Sequence, residues 1–155
     1  MVFARPDKFF LAAGFAEGLT ELNAFDNALM QAGIGNTNLI RISSILPPAA
    51  VEIPLPKLPY GSLVPVAYAE ETSSVPGLLI SAAVATGIPA DPELPGVIME
   101  HHLQGPEEQC RREVVEKVEE AFRVRGYKLA GVRLISASGT VKQIGSAVAA
   151  VVLWT

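Results

Sequence analysis

Charge is scarce in this chain: 18% of its 155 residues are Asp, Glu, Lys or Arg, against about 25% in ordinary soluble proteins. Half of the residues are hydrophobic, more than one domain of this size can bury in its own core. The excess implies a buried contact between copies, as in a closed homo-oligomer. The net charge of −4 comes with no stripe of Lys and Arg, which argues against nucleic acid as a partner. There is one cysteine, Cys110, so an internal disulfide framework and a cysteine metal cage are both excluded. A lone thiol makes the cytoplasm the natural compartment. No apolar run reaches the length that spans a membrane. Phe9-Phe10-Leu11-Ala12-Ala13, after Arg5 and Lys8, faintly resembles a signal peptide, but it is short and Glu17 and Glu21 follow, so it reads as a first β-strand.

Repeats, charge blocks and long linkers are also missing. Prolines and glycines punctuate the whole chain, which implies many short elements in one compact body. Two stretches have helical spacing. In the first, Asn23 is expected to cap a segment carrying Phe25, Ala28, Leu29 and Ala32, with Gly33 as its stop. In the second, Pro106 opens, Glu107 and Glu108 fill the first turn, and Val114, Val115, Val118, Ala121 and Phe122 make one apolar face, closed by Gly126. Charges on its other side make it a surface helix over a sheet, with Cys110 expected on the charged side.

Strands are expected at 8–13, 38–45, 64–71, 78–85, 96–101, 128–137 and 141–153. Leu78 to Ile80 and Val148 to Leu153 are apolar on both faces, as in strands covered on two sides. Segment 46–60, with five prolines, is expected to be an extended connector. The sum is an α+β fold, a layered αββα-type sandwich of short, mostly antiparallel strands with flanking helices, spanning 1–155 as a single domain.

The informative stretch runs from Gly33 to Pro48. Gly33-Ile34-Gly35-Asn36 lacks the third glycine, the preceding strand and the following helix of a dinucleotide fingerprint. A Ser43-Ser44 pair is ordinarily a turn or cap. Here it ends an apolar strand and precedes a proline-rich exit, a setting that can press one hydroxyl against the preceding carbonyl.

Asn38-Leu39-Ile40-Arg41-Ile42-Ser43-Ser44-Ile45 followed by Pro47-Pro48 resembles the self-cleavage segment of the pyruvoyl-dependent arginine decarboxylases. Asn23-Ala24-Phe25-Asp26 with Ala28-Leu29, Leu55-Pro56-Lys57-Leu58-Pro59, Gly96-Val97-Ile98-Met99-Glu100, and the closing Ala147, Ala149, Ala150, Leu153 and Trp154 resemble further landmarks of that family in the same order. The likeness runs from about residue 11 to the C-terminus.

The resemblance implies that the Ser44 hydroxyl attacks the carbonyl of Ser43, that elimination cuts the chain into a β chain (1–43) and an α chain (44–155), and that the dehydroalanine left at residue 44 hydrolyses to a pyruvoyl cofactor with loss of ammonia. Asn38 and nearby backbone N–H groups are candidate donors to the oxyanion at Ser43. The pyruvoyl ketone would then form a Schiff base with the α-amine of L-arginine, yielding agmatine and CO2. Glu100 is the implied acid, delivered by Val97, Ile98 and Met99 to a dry pocket. Asp26 is the implied partner of the guanidinium, since a carboxylate matches that planar fork. Asn38 would also wall the substrate site.

His101 and His102 depart from the family pattern, in which an aromatic residue follows the glutamate. Neighbours on a strand point to opposite sides, so the two histidines do not clamp a shared metal. Arg41 reads as structural, its stem packed and its head paired. The family implies a trimer, or a dimer of trimers, with sites at subunit boundaries. Two alternatives stand beside this reading: the same chemistry on histidine, ornithine or aspartate, and a non-cleaving oligomeric binding protein of the same fold.

Overall fold

The computed structural model describes residues 4–155. In chain order the elements are β1 (Lys8–Glu17), α1 (Glu21–Ala32), β2 (Asn38–Arg41), β3 (Ile45–Leu46), β4 (Val51–Glu52), β5 (Leu63–Ser73), β6 (Leu79–Pro89), β7 (Gly96–Leu103), α2 (Glu107–Arg125), β8 (Leu129–Thr140) and β9 (Gly145–Trp154). The segment that faintly resembled a signal peptide forms the first half of β1, after Lys8. Two sheets result, ordered β2-β5-β9-β1-β4 and β3-β7-β6-β8. The long neighbours are antiparallel. Only the short strands β2 and β4 run parallel to their partners, at the two edges of the five-stranded sheet.

Alternation along β1 shows how the layers form. Phe9 points between the sheets and Phe10 points under α1, and both are fully buried, a placement that stabilises by about 1.5–3 kcal/mol for each such side chain. The inter-sheet layer is built largely from small residues, among them Ala67, Ala69, Ala82, Ala147 and Ala149. Outside it, α1 covers the five-stranded sheet through Ala28, Leu29 and Ala32, and α2 covers the four-stranded sheet through Val114, Val118 and Phe122. This is the expected αββα order. Strands β6 and β9 lie inside their sheets and are buried on both faces over most of their length, in keeping with their continuous apolar runs.

Both helices stop where expected, at Gly33 and Gly126 in the left-handed region. The start of α1 differs. Thr20, not Asn23, is the cap: its side-chain oxygen accepts from the Asn23 N–H at 3.1 Å, which places Asn23 inside the first turn. Cys110 also differs, lying on the buried face of α2 in line with Val114 and Val118, one turn apart each.

The largest departure concerns 38–45. It is two strands in two sheets. Pairing with β5 ends when the Ile42 N–H donates to the Val66 carbonyl (2.9 Å), and β3 then pairs with β7 in the other sheet. Segment 46–60 is irregular apart from Leu46 in β3 and β4, whose two residues pair with Lys8 and Phe9. Its prolines cannot donate to a longer ladder.

Candidate active site

The crossing between the sheets is made by Ser43 and Ser44. On one side the Ile42 N–H is held by Val66 of β5. On the other the Ser44 carbonyl accepts from the Ile98 N–H of β7 at 2.8 Å. The peptide bond joining the two serines is thus suspended between anchors on different sheets. Ser43 is exposed and Ser44 is half-buried.

Glu100 lies two residues beyond Ile98 on β7. Alternation sends Ile98, Glu100 and His102 toward the five-stranded sheet, while Val97, Met99 and His101 face α2. The apolar run before Glu100 is therefore divided between two layers, and the carboxyl emerges at the mouth of the inter-sheet space rather than in a dry pocket. Its side chain is 37% exposed, and its Oε2 stands 3.3 Å from Arg41 Nη2.

Arg41 is packed and paired as its sequence reading expected. Its guanidinium lies over the Tyr68 ring, 4.4 Å from the centroid, and Nη2 also donates to the Tyr68 carbonyl at 3.1 Å. Tyr68 in turn packs on Phe25 of α1, with ring centroids 5.8 Å apart. From the helix that covers the four-stranded sheet, Lys117 of α2 donates to the Glu100 carbonyl at 2.9 Å. Arg41, Glu70, Glu100, His101, His102 and Lys117 line a cavity of about 530 Å³ at this edge of the sandwich.

The histidines point to opposite sides, as alternation requires. His101 Nε2 lies 2.6 Å from Glu113 on α2, and His102 Nδ1 lies 2.5 Å from Glu71 on β5. A hydrogen bond from Gln109, reinforced by His101, holds the Glu113 carboxyl below the ordinary range. Cys110 is sealed beneath α2, and burial, with the nearby charge of Glu113 adding to it, pushes its thiol up to about 11. A thiol held in that state is a packing group and a poor nucleophile.

The structure brings Ser43, Ser44 and Glu100 to one edge. It does not bring Asn38 or Asp26 there within one chain. Asn38 opens β2, with its side-chain N–H donating to the Gly61 carbonyl at 3.0 Å. An extended strand rises about 3.3 Å per residue, so Asn38 sits roughly 16 Å before Ser43. Asp26 is exposed on α1, and among the described residues its side chain makes no hydrogen bond or ion pair. Tyr68, Glu70 and Lys117 carried no sequence signal, because sheet pairing and helix docking alone place them beside Arg41 and Glu100.

The family model described as "Pyruvoyl-dependent arginine decarboxylase (PvlArgDC)" matches residues 8–155. A protein of Methanocaldococcus jannaschii named pyruvoyl-dependent arginine decarboxylase is 49% identical over 152 residues, covering 98% of this chain and 92% of that protein. One of the same name from Methanococcus vannielii is 46% identical over 152 residues, covering 98% and 93%. Another, from Pyrococcus abyssi, is 45% identical over 158 residues, covering 99% of both.

Proposed function

The chain belongs to the pyruvoyl-dependent arginine decarboxylase family, whose members are carboxy-lyases carrying a covalently bound pyruvoyl group, and from that premise we propose that it cuts itself between Ser43 and Ser44 and then decarboxylates L-arginine to agmatine and CO2. The observation that carries this reading is the Ser43–Ser44 crossing, pinned on both sheets, with Glu100 on the strand that holds its second half.

Cleavage begins with the Ser44 hydroxyl attacking the Ser43 carbonyl carbon. The amide becomes an ester and the Ser44 nitrogen becomes a free amine. Loss of the Ser44 Cα proton expels the Ser43 carboxylate and leaves dehydroalanine, and one water then replaces one ammonia. Attack within one chain between well-oriented groups lowers the barrier by about 7–11 kcal/mol. Anchoring of Ile42 to β5 and of Ser44 to β7 supports such pre-orientation.

Residue 44 suits the group that would replace it. Its carbonyl oxygen survives the chemistry as the amide carbonyl of a pyruvoyl cap, so the hydrogen bond from the Ile98 N–H can hold the finished group where it held the serine. Once formed, that group supplies an electrophilic ketone for the substrate α-amine and for the electron pair left by departing CO2. Glu100 then has the task of returning a proton to the substrate carbon.

Asn38 and Asp26 join this site from another copy of the chain. Large apolar side chains stand in solvent around both: Tyr60 (82% exposed) and Leu63 (67%) beside Asn38, and Leu22 (75%) on the helix of Asp26. Covering them in a trimer, or a dimer of trimers, supports a site at each subunit boundary, with the Asp26 carboxylate receiving the guanidinium and Asn38 walling the site and donating to the cleavage oxyanion.

Intact mass spectrometry of the purified protein beside Ser44→Ala tests the first step. The expected result is two chains split after Ser43, the larger lighter than plain hydrolysis gives by one ammonia, and an uncut variant. A folded wild-type sample that stays in one piece would overturn the reading in favour of a non-cleaving binding protein. Product release from arginine, measured beside histidine, ornithine and aspartate, then tests the substrate.

A further inference from the structure

We propose that Arg41 is a positioning residue for the decarboxylation, holding the Glu100 carboxyl in register with residue 44 by donating to its Oε2; this rests on the reading of Glu100 as the proton donor. Arg41 lies two residues before Ser43, and Glu100 lies two residues beyond the strand position that anchors Ser44. The pair therefore brackets the crossing from both sheets.

Its two members belong to different fragments once the chain is cut, Arg41 to 1–43 and Glu100 to 44–155. The anchors of Arg41 do not depend on the severed bond. The guanidinium is fixed by the Tyr68 ring and carbonyl, and its backbone lies against Val66 on β5. Cleavage leaves all three in place. Arg41 thus keeps its contacts with Tyr68 and remains the group against which the end of β7 is set.

The hydrogen bonding is selective. Arg41 engages Oε2 of Glu100, and among the described residues Oε1 has no partner. With Oε2 tied as an acceptor, the acid form carries its proton on Oε1, the oxygen free to meet the substrate, in a plane set by Arg41. Lys117 holds the backbone of the same residue through its carbonyl. Side chain and main chain of Glu100 are each secured from a different layer.

The test is a double-mutant cycle on the whole protein, with rates normalised to the cleaved chain seen by mass spectrometry. Arg41→Met is expected to lower kcat by about 10²-fold, the loss that a small misplacement of a reacting group brings, while KM stays within about threefold, the signature of an interaction used after binding. Arg41→Lys should recover part of kcat. Adding Arg41→Met to Glu100→Gln should cost nothing further, since the group being positioned is already gone.

Wild-type kcat in Arg41→Met, or losses that multiply in the double variant, would overturn the proposal while leaving Glu100 as the donor. Wild-type turnover in Glu100→Gln alone would instead remove the reading beneath it. If Arg41→Met fails to fold or to cut, Tyr68→Leu takes its place. That change removes the stacking surface without touching Glu100, and the same kcat loss, smaller in size and absent on the Glu100→Gln background, is expected.

Discussion

Arg133 on β8, the outer strand of the four-stranded sheet, grips Glu52 on β4, the outer strand of the five-stranded sheet, through hydrogen bonds of 2.5 and 3.1 Å. This forked pair closes the sandwich on the edge opposite Arg41 and Glu100. It also tethers the proline-rich connector that leaves Ser44. Both side chains are partly exposed, so solvent screens the pair and its contribution to stability is small. Glu52→Gln is therefore expected to lower Tm by about 2–4 °C and to leave cleavage at Ser44 intact, as thermal melts and intact mass will show. Loss of cleavage would mean that the connector, and not only the sandwich edge, depends on the pair.

Glu17, the last residue of β1, closes the turn between β8 and β9. Its carboxylate accepts backbone N–H groups from Lys142, Gln143 and Ile144. Desolvation pushes the group upward, but the three hydrogen bonds together outweigh it and hold the carboxyl below the ordinary range. A carboxyl lowered on folding contributes stability that is complete above its unfolded value, about 4.3, and that is lost as pH falls through the folded one. Urea midpoints should therefore fall between about pH 5 and pH 3 in the wild type and fall less steeply in Glu17→Gln. Parallel curves for the two proteins would contradict this.

At Gly87, α2 presses closely on β6. A Cβ there would stand 2.5 Å from the Phe122 ring and 2.6 Å from a Val118 methyl. Gly87→Ala is expected to cost about 1–3 kcal/mol by overpacking. Trimming the opposing ring in Gly87→Ala/Phe122→Leu should return part of that loss in denaturant melts. Stability equal to wild type in the single variant would show that the helix yields freely.

The proposed assembly of the site from two copies predicts complementation. Ser44→Ala and Asn38→Ala homomers should each be inactive toward arginine. Mixed oligomers, formed by co-expression, should regain part of the activity, because some boundaries then join an intact residue 44 to an intact Asn38. Agmatine release from the purified mixture measures it. A mixture as inactive as its parents would place Asn38 and Ser44 in the same subunit's site.

Local chemistry made much of this protein legible. The apolar face of α2, the stops at Gly33 and Gly126, and the continuous burial of β9 follow from side-chain spacing and backbone preference, which act within a few residues. The same holds for the opposed directions of His101 and His102. The Ser43-Ser44 pair and Glu100 stood out only through the resemblance of their surroundings to a family's landmarks, since either alone reads as an ordinary turn or a strand end.

The tertiary structure alone decided that 38–45 is shared between two sheets. Its apolar run satisfies either sheet, and only the competing partners Val66 and Ile98 place the division at the serines. Likewise Arg41 and Glu100 are 59 residues apart, and no local preference can bring them together. Their meeting follows from β5 and β7 facing each other across the inter-sheet layer, a matter of long-range pairing. The sequence by itself determined which groups are available for chemistry. Packing decided which of them share an edge and left Asn38 and Asp26 elsewhere, Asn38 because extended strand separates it from Ser43 and Asp26 because it stands on the outer helix α1.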